Sequence, residues 1–208
     1  MTIILHHLEN SRSQRVLWLL EELGLSYLVR RYDRDPKTML APASLKCIHP
    51  LGKSPILEDD GRILVETGAI VEYLVEKGDG RFAPPAHRND ALLYRQFMHY
   101  AEGSLMPPLL VLLVLSRVPV FGRAARRRFQ PMVDVHLDYV ESVLAERRWF
   151  AGDAITAADI MMSFPLEAAR SRVGLNASRP ATIAWLDKIH DRPAYRAALQ
   201  QGGPYAYA

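Results

Sequence analysis

The stretch Gly52–Gly78, GKSPILEDDGRILVETGAIVEYLVEKG, decides how the rest of the chain is read. Ile56 to Glu58 makes a short apolar strand, and Asp59-Asp60-Gly61 is a turn sequence of the kind that joins antiparallel strands. A second strand, Ile63 to Val65, follows. Glu66-Thr67-Gly68 then opens a helix in which Ile70, Val71, Leu74 and Val75 share one face, and Gly78 stops it. Proline lowers the trans preference of the preceding bond to roughly 0.5–1 kcal/mol, so Ser54-Pro55 is a candidate cis bond. In cis it turns the Ser54 backbone outward, towards a ligand. Glu66 and Thr67 stand at a helix N-terminus, where partly positive N–H groups attract carboxylates.

Upstream, Ile3, Ile4 and Leu5 with their neighbours read as a buried strand, and His7 to Ser11 as a polar loop. A helix runs from about Ser13, with Val16, Leu17, Leu20 and Leu23 on one side and Gly24 as its stop. Tyr27 to Tyr32 is a second strand, and residues 33–47, rich in proline and charge, are loop plus a short helix. The order β-α-β, then β-β-α, is the layout of a thioredoxin-like domain, parallel in its first half and antiparallel in its second.

Downstream, GDGRFAPPAH at Gly78–His87 is the one linker. Beyond it every long segment has helical periodicity: 89–118, with a kink or break expected at Pro107-Pro108; 121–147; 156–173; and two shorter helices that begin at Pro180 and Pro193. The expected organisation is therefore α/β plus all-α: a thioredoxin-like domain at 1–78, a linker at 79–87 and a helical bundle at 88–208. At the head of the third long helix, AGDAITAADI (Ala151–Ile160) carries a capping box. Thr156 and Asp159 satisfy each other's backbone, and Ile155 and Ile160 form the staple.

These motifs resemble those of the glutathione transferases, and the resemblance covers nearly the full chain. The pre-strand proline, the hairpin, and the acid and hydroxyl residue opening a helix match that family's glutathione site. The capping box and the RPAY of Arg192–Tyr195 match its helical domain. The resemblance implies that the Ser54 backbone, beside Pro55, pairs with the cysteinyl part of glutathione, and that Glu66 and Thr67 hold the γ-glutamyl end. The family more often has an aliphatic residue at the position of Ser54 and serine at that of Thr67; both replacements keep the binding groups. Lys53 is the candidate for the glycine carboxylate, as a mobile point charge, with Arg12 behind it. The theta- and delta-like classes activate the thiol with a serine four residues before an arginine. Ser11 stands four before Arg15, with Asn10 and Ser13 as rivals.

A free thiol ionises near pH 8.5, and a hydroxyl hydrogen bond with a helix N-terminus lowers that by about one to two units. For the electrophile, Phe97, Tyr100, Met106 and Phe121 are candidates to line an apolar pocket built partly by the start of the long helix after the linker. The family resemblance also implies a homodimer and a detoxifying reaction, with glutathione as co-substrate and a hydrophobic electrophile or a peroxide as the second substrate.

The remaining signals bound other classes. A formal charge of +3 over 208 residues leaves no nucleic-acid footprint for the whole chain, and the basic run Arg123–Arg128 reads as a solvated face. One cysteine, Cys47, excludes an intrachain disulfide and any CxxC motif and is read as a small buried residue. No metal-ligand spacing occurs among the seven histidines. The N-terminus has no secretory pattern, and the longest apolar run, Leu105–Leu115, is too short to span a bilayer, so a cytoplasmic protein without a membrane partner is expected. The alternative function is a non-catalytic relative that keeps the fold as a binding or scaffolding module.

Overall fold

The computed structural model describes residues 2–208. Its organising hairpin consists of β3 (Ile56–Asp59) and β4 (Arg62–Leu64), joined by Asp60 and Gly61 alone. Both joining residues have positive φ, 50° and 79°, the sense of turn whose twist matches that of the flanking strands. Strand β1 (Ile3–Leu8) lies between β3 and β2 (Tyr27–Tyr32), giving the order β2-β1-β3-β4. It runs parallel to β2 and antiparallel to β3. The parallel pair needs a crossover, which α1 (Ser13–Leu23) supplies. Helix α2 (Thr67–Lys77) follows β4, and Asp59 ties it to the sheet by accepting from Tyr73 Oη (2.5 Å) and pairing with Lys77 Nζ (2.8 Å).

β1 runs two residues further than the loop expected at His7–Ser11 allows. His6 and His7 lie within it, both buried. Histidine persists in a central strand because one ring nitrogen of each finds a partner there: His6 Nδ1 with Tyr32 Oη (2.9 Å), His7 Nδ1 with Ser13 Oγ (2.8 Å). Cys47, expected buried, is exposed at the end of a short 3₁₀ turn, where Leu45 takes the inward position.

By packing, the chain divides into two units. The first comprises residues up to Ala83 together with His190–Ala206 and Ala208; the second comprises Pro84–Ile189 and Tyr207. The last helix, α8 (Pro193–Gly202), is thus part of the first unit. Tyr195 meets Trp18 edge-on at 5.5 Å, and Arg192 makes a two-pronged pair with Glu22 on α1, its Nη2 donating at 2.8 Å. This explains why α1 is buried on more than the single apolar side visible in its sequence: every residue from Ser13 to Leu20 is inside.

In the second unit, α3 (Arg88–Tyr100), a π-helical turn (Ala101–Leu105) and α4 (Met106–Ser116) follow one another without interruption. Pro107 and Pro108 fall in the first turn of α4, so of the expected kink or break the helix shows no break, only the wider turn directly before the prolines. Helices α5 (Gly122–Glu146), α6 (Ala157–Arg172) and α7 (Pro180–His190) complete the unit. Every residue of α6 from Ala157 to Ala169 is buried, so water cannot satisfy its first N–H groups. The Thr156/Asp159 box forms at that end. The Asp159 carboxylate accepts from Thr156 N (2.9 Å), Thr156 Oγ1 (3.2 Å), Phe150 N (3.1 Å) and Trp185 Nε1 (3.3 Å).

Candidate active site

The β1–β3 ladder ends at His6↔Ile56, and Ser54 continues the connection with its side chain. Its hydroxyl donates to the His6 carbonyl (2.9 Å) and accepts the Leu8 N–H (3.2 Å). The Ser54–Pro55 bond is cis, as expected. Among the described residues the Ser54 N–H and C=O have no backbone partner. A serine at this position therefore has a structural reason that an aliphatic residue cannot supply: the side chain clamps the loop to β1 while the main chain stays available.

Glu66 precedes α2 at φ 69°, ψ 117°, a conformation L residues rarely adopt. Its side chain is exposed, and its carbonyl accepts the Ile70 N–H at 3.0 Å. Thr67 beside it is buried. An exposed carboxylate and a hydroxyl thus flank the first turn of α2, whose N–H groups carry partial positive charge. Lys53 is exposed on the approach to Ser54.

The three rivals for the thiol differ in what they already hold. Asn10, at φ 50°, accepts the Ala206 N–H on Oδ1 (2.7 Å). Ser13 is fully buried, with its hydroxyl 2.8 Å from His7 Nδ1 and 3.3 Å from the Leu8 carbonyl. Ser11 lies 6 % exposed; its Oγ accepts the Ser13 N–H (3.2 Å) and sits 2.8 Å from Ser13 Oγ. On its other side His7 donates to the Gly202 carbonyl, which leaves Nδ1 as an acceptor. With Nδ1 as acceptor Ser13 donates to His7, and the 2.8 Å contact between the two serines is then donated by Ser11 to Ser13 Oγ. Burial, and after it the Arg31 charge, lower the His7 pKa to about 4, so the ring is neutral at physiological pH.

His7 and Gly202 were not legible as site residues. One looks like part of a polar loop and the other lies almost two hundred positions away, so no local pattern links them.

Of the electrophile candidates, Phe97 and Tyr100 meet edge-on, their ring centroids 5.8 Å apart. Phe97 and Met106 are buried in the helical unit, Phe97 within an aromatic cluster with Tyr100, Tyr139 and Phe150. Tyr100 is half-buried with its hydroxyl 2.6 Å from His136 Nδ1; burial, then Tyr139, push its pKa up to about 12. Phe121 is 78 % exposed at the N-cap of α5.

Residues 1–76 match the model of the glutathione S-transferase N-terminal domain, and residues 105–193 that of the C-terminal domain. Over 96 % of this chain and 87 % of the relative, the sequence is 38 % identical to glutathione S-transferase 3 of Schizosaccharomyces pombe. A glutathione S-transferase crystal structure from Actinobacillus pleuropneumoniae superimposes with a TM-score of 0.88 at 33 % identity, covering 99 % of this chain and 95 % of that one. A sphingomonad glutathione S-transferase solved in complex with glutathione is 25 % identical, with a TM-score of 0.79 over 98 % of this chain and 99 % of that one. The chain belongs to the glutathione S-transferase family. It is a transferase enzyme that acts with glutathione, built as a thioredoxin-like β/α domain followed by helices.

Proposed function

We propose that Ser11 activates the thiol of glutathione held by the Ser54 backbone, Glu66, Thr67 and Lys53. The observation that carries this reading is the pairing at Ser54, whose hydroxyl is committed to β1 while its N–H and C=O remain available beside the strand that leads to Ser11. The cysteinyl backbone of glutathione pairs there in antiparallel fashion. Glu66 takes the γ-glutamyl ammonium as an ion pair, and Thr67 with the first N–H groups of α2 takes its carboxylate. Lys53 faces the glycine carboxylate. Ser11 then donates its hydrogen bond to the sulfur, stabilising thiolate over thiol, and the thiolate attacks an electrophilic carbon or a peroxide oxygen.

The test is the thiolate absorbance of bound glutathione against pH. Ser11→Ala should raise the bound thiol pKa towards the free value and slow turnover by roughly ten- to a hundredfold, as expected for about 1.5–3 kcal/mol from a hydrogen bond to a charged group. Its glutathione affinity should change far less. Coincident titrations with both proteins binding would reduce Ser11 to a helix cap. Failure of either protein to bind glutathione at millimolar concentration would favour the scaffolding alternative.

The enzyme is read as a homodimer. The helix after Glu66 and the long helical stretch after the linker face the partner, and on the latter Leu110, Val111 and Val114 are exposed. Sedimentation of a monomer at micromolar concentration would remove that part. An exposed free cysteine, Cys47, fits a reducing compartment, so the cytoplasm is the assigned location.

A further inference from the structure

The two most exposed large apolar side chains among the described residues are neighbours, Val120 (86 %) and Phe121 (78 %). They form the apex of the turn between α4 and α5, with Val118 exposed beside them. Gly122 keeps that turn tight: a Cβ there would lie 2.2 Å from the Leu115 carbonyl, so α5 begins directly against the end of α4. Val120 itself stands at φ 64°, a region that β-branched residues avoid, so its outward display is held at the expense of backbone strain.

Around this apex the charge is of one sign. Between Ser116 and Val133 the chain has five arginines (117, 123, 126, 127 and 128) and no acidic residue, in a molecule whose whole formal charge is +3. None of the five has a carboxylate partner among the described residues; Arg126 donates to the Arg172 carbonyl at 3.2 Å. Arg123, Arg126 and Arg127 share with Val118 and Val120 a groove of about 660 Å³, so the apolar and cationic groups face the same space.

The sequence reads the basic run as a solvated face, but solvation does not account for valine and phenylalanine displayed at its centre. We propose that this tip docks on the surface of anionic lipid bilayers. Val120 and Phe121 enter the interfacial layer and the arginines engage lipid phosphates. A bilayer offers both complements in the same order as the tip, apolar at depth and anionic at the level of the arginines. A second copy of the chain would bring five arginines against five. A nucleic acid would supply the phosphates but no apolar layer for Val120. Docking of this kind needs no membrane-spanning segment.

Flotation of the full chain with vesicles tests this. The protein should float with vesicles of equal parts phosphatidylserine and phosphatidylcholine, stay behind with phosphatidylcholine alone, and be released by high salt. Val120→Asp, and separately the pair Arg123→Gln and Arg127→Gln, should each weaken flotation by about tenfold or more with the melting temperature kept. Absence of flotation on the anionic vesicles, or equal flotation of wild type and variants, overturns the proposal. So does a mixed-sequence oligonucleotide that binds more tightly than the vesicles, which would make the tip a nucleic-acid site. A sedimentation coefficient altered by Val120→Asp without lipid would assign it to a second copy, against the proposal.

Discussion

Ser13 Oγ lies 2.8 Å from both His7 Nδ1 and Ser11 Oγ, so one buried hydroxyl links the histidine to the serine assigned to the thiol. Ser13→Ala removes a buried partner of His7 and of Ser11 but leaves the Ser11 hydroxyl proposed to face the thiol. It should lower stability by about 1–2 kcal/mol while the bound thiol keeps its depressed pKa. Ser11→Ala should do the reverse. Thermal melts and thiolate titrations of the two variants side by side separate the roles, and a larger thiol shift in Ser13→Ala would transfer the activating role to Ser13.

His7 makes stability depend on pH in a defined window. The unfolded chain takes up this proton near pH 6.5, the folded one only near 4. Between those values the unfolded state binds more protons, so stability falls as pH drops from 6.5 to 4 and this contribution is constant outside the window. The full loss is about 3 kcal/mol. Urea midpoints measured across the window should show a steeper acid decline for wild type than for His7→Gln; parallel curves would mean that His7 is charged in the fold.

Glu66 separates binding from folding. Its φ of 69° suits glycine, so Glu66→Gly should leave stability unchanged or raise it by up to about 1 kcal/mol. The same change removes the carboxylate assigned to the γ-glutamyl ammonium, and glutathione affinity should fall by about tenfold or more. Calorimetric titration beside a thermal melt gives both readings. Unaltered affinity would take Glu66 out of the site.

Asp159→Ala should cost more than the loss of a helix cap. A cap alone is worth about 0.5–2 kcal/mol. Here the carboxylate is completely buried and holds four donors from three segments, all left unsatisfied by alanine, so about 3 kcal/mol or more is expected. Burial also raises its pKa to about 6, against the pull of the Thr156 and Phe150 N–H bonds. Denaturant unfolding of the variant checks the figure; a loss below 1 kcal/mol would leave only the cap.

What the sequence determined by itself is local in origin. The Asp60-Gly61 hairpin, the Ser54-Pro55 step, the helix opened by Glu66-Thr67 and the Thr156/Asp159 box each rest on residues within a few positions of one another. Backbone sterics and hydrogen-bonding reach act over that distance, so type and place could be read directly. Periodicity likewise revealed α1 and its apolar side, and the helical character of everything after the linker. The tertiary structure decided what depends on contacts between distant segments. Folding α8 back onto α1 buries the side of α1 that its sequence left polar, and brings Gly202 to His7 and Ala206 to Asn10. The tertiary structure also buried Phe97 and Met106, which could not be read beforehand, since an apolar residue looks the same in sequence whether it lines a cleft or fills a core. The proton order along Ser11, Ser13 and His7 belongs to this second kind. It depends on one carbonyl from the far end of the chain, and only packing could place that carbonyl there.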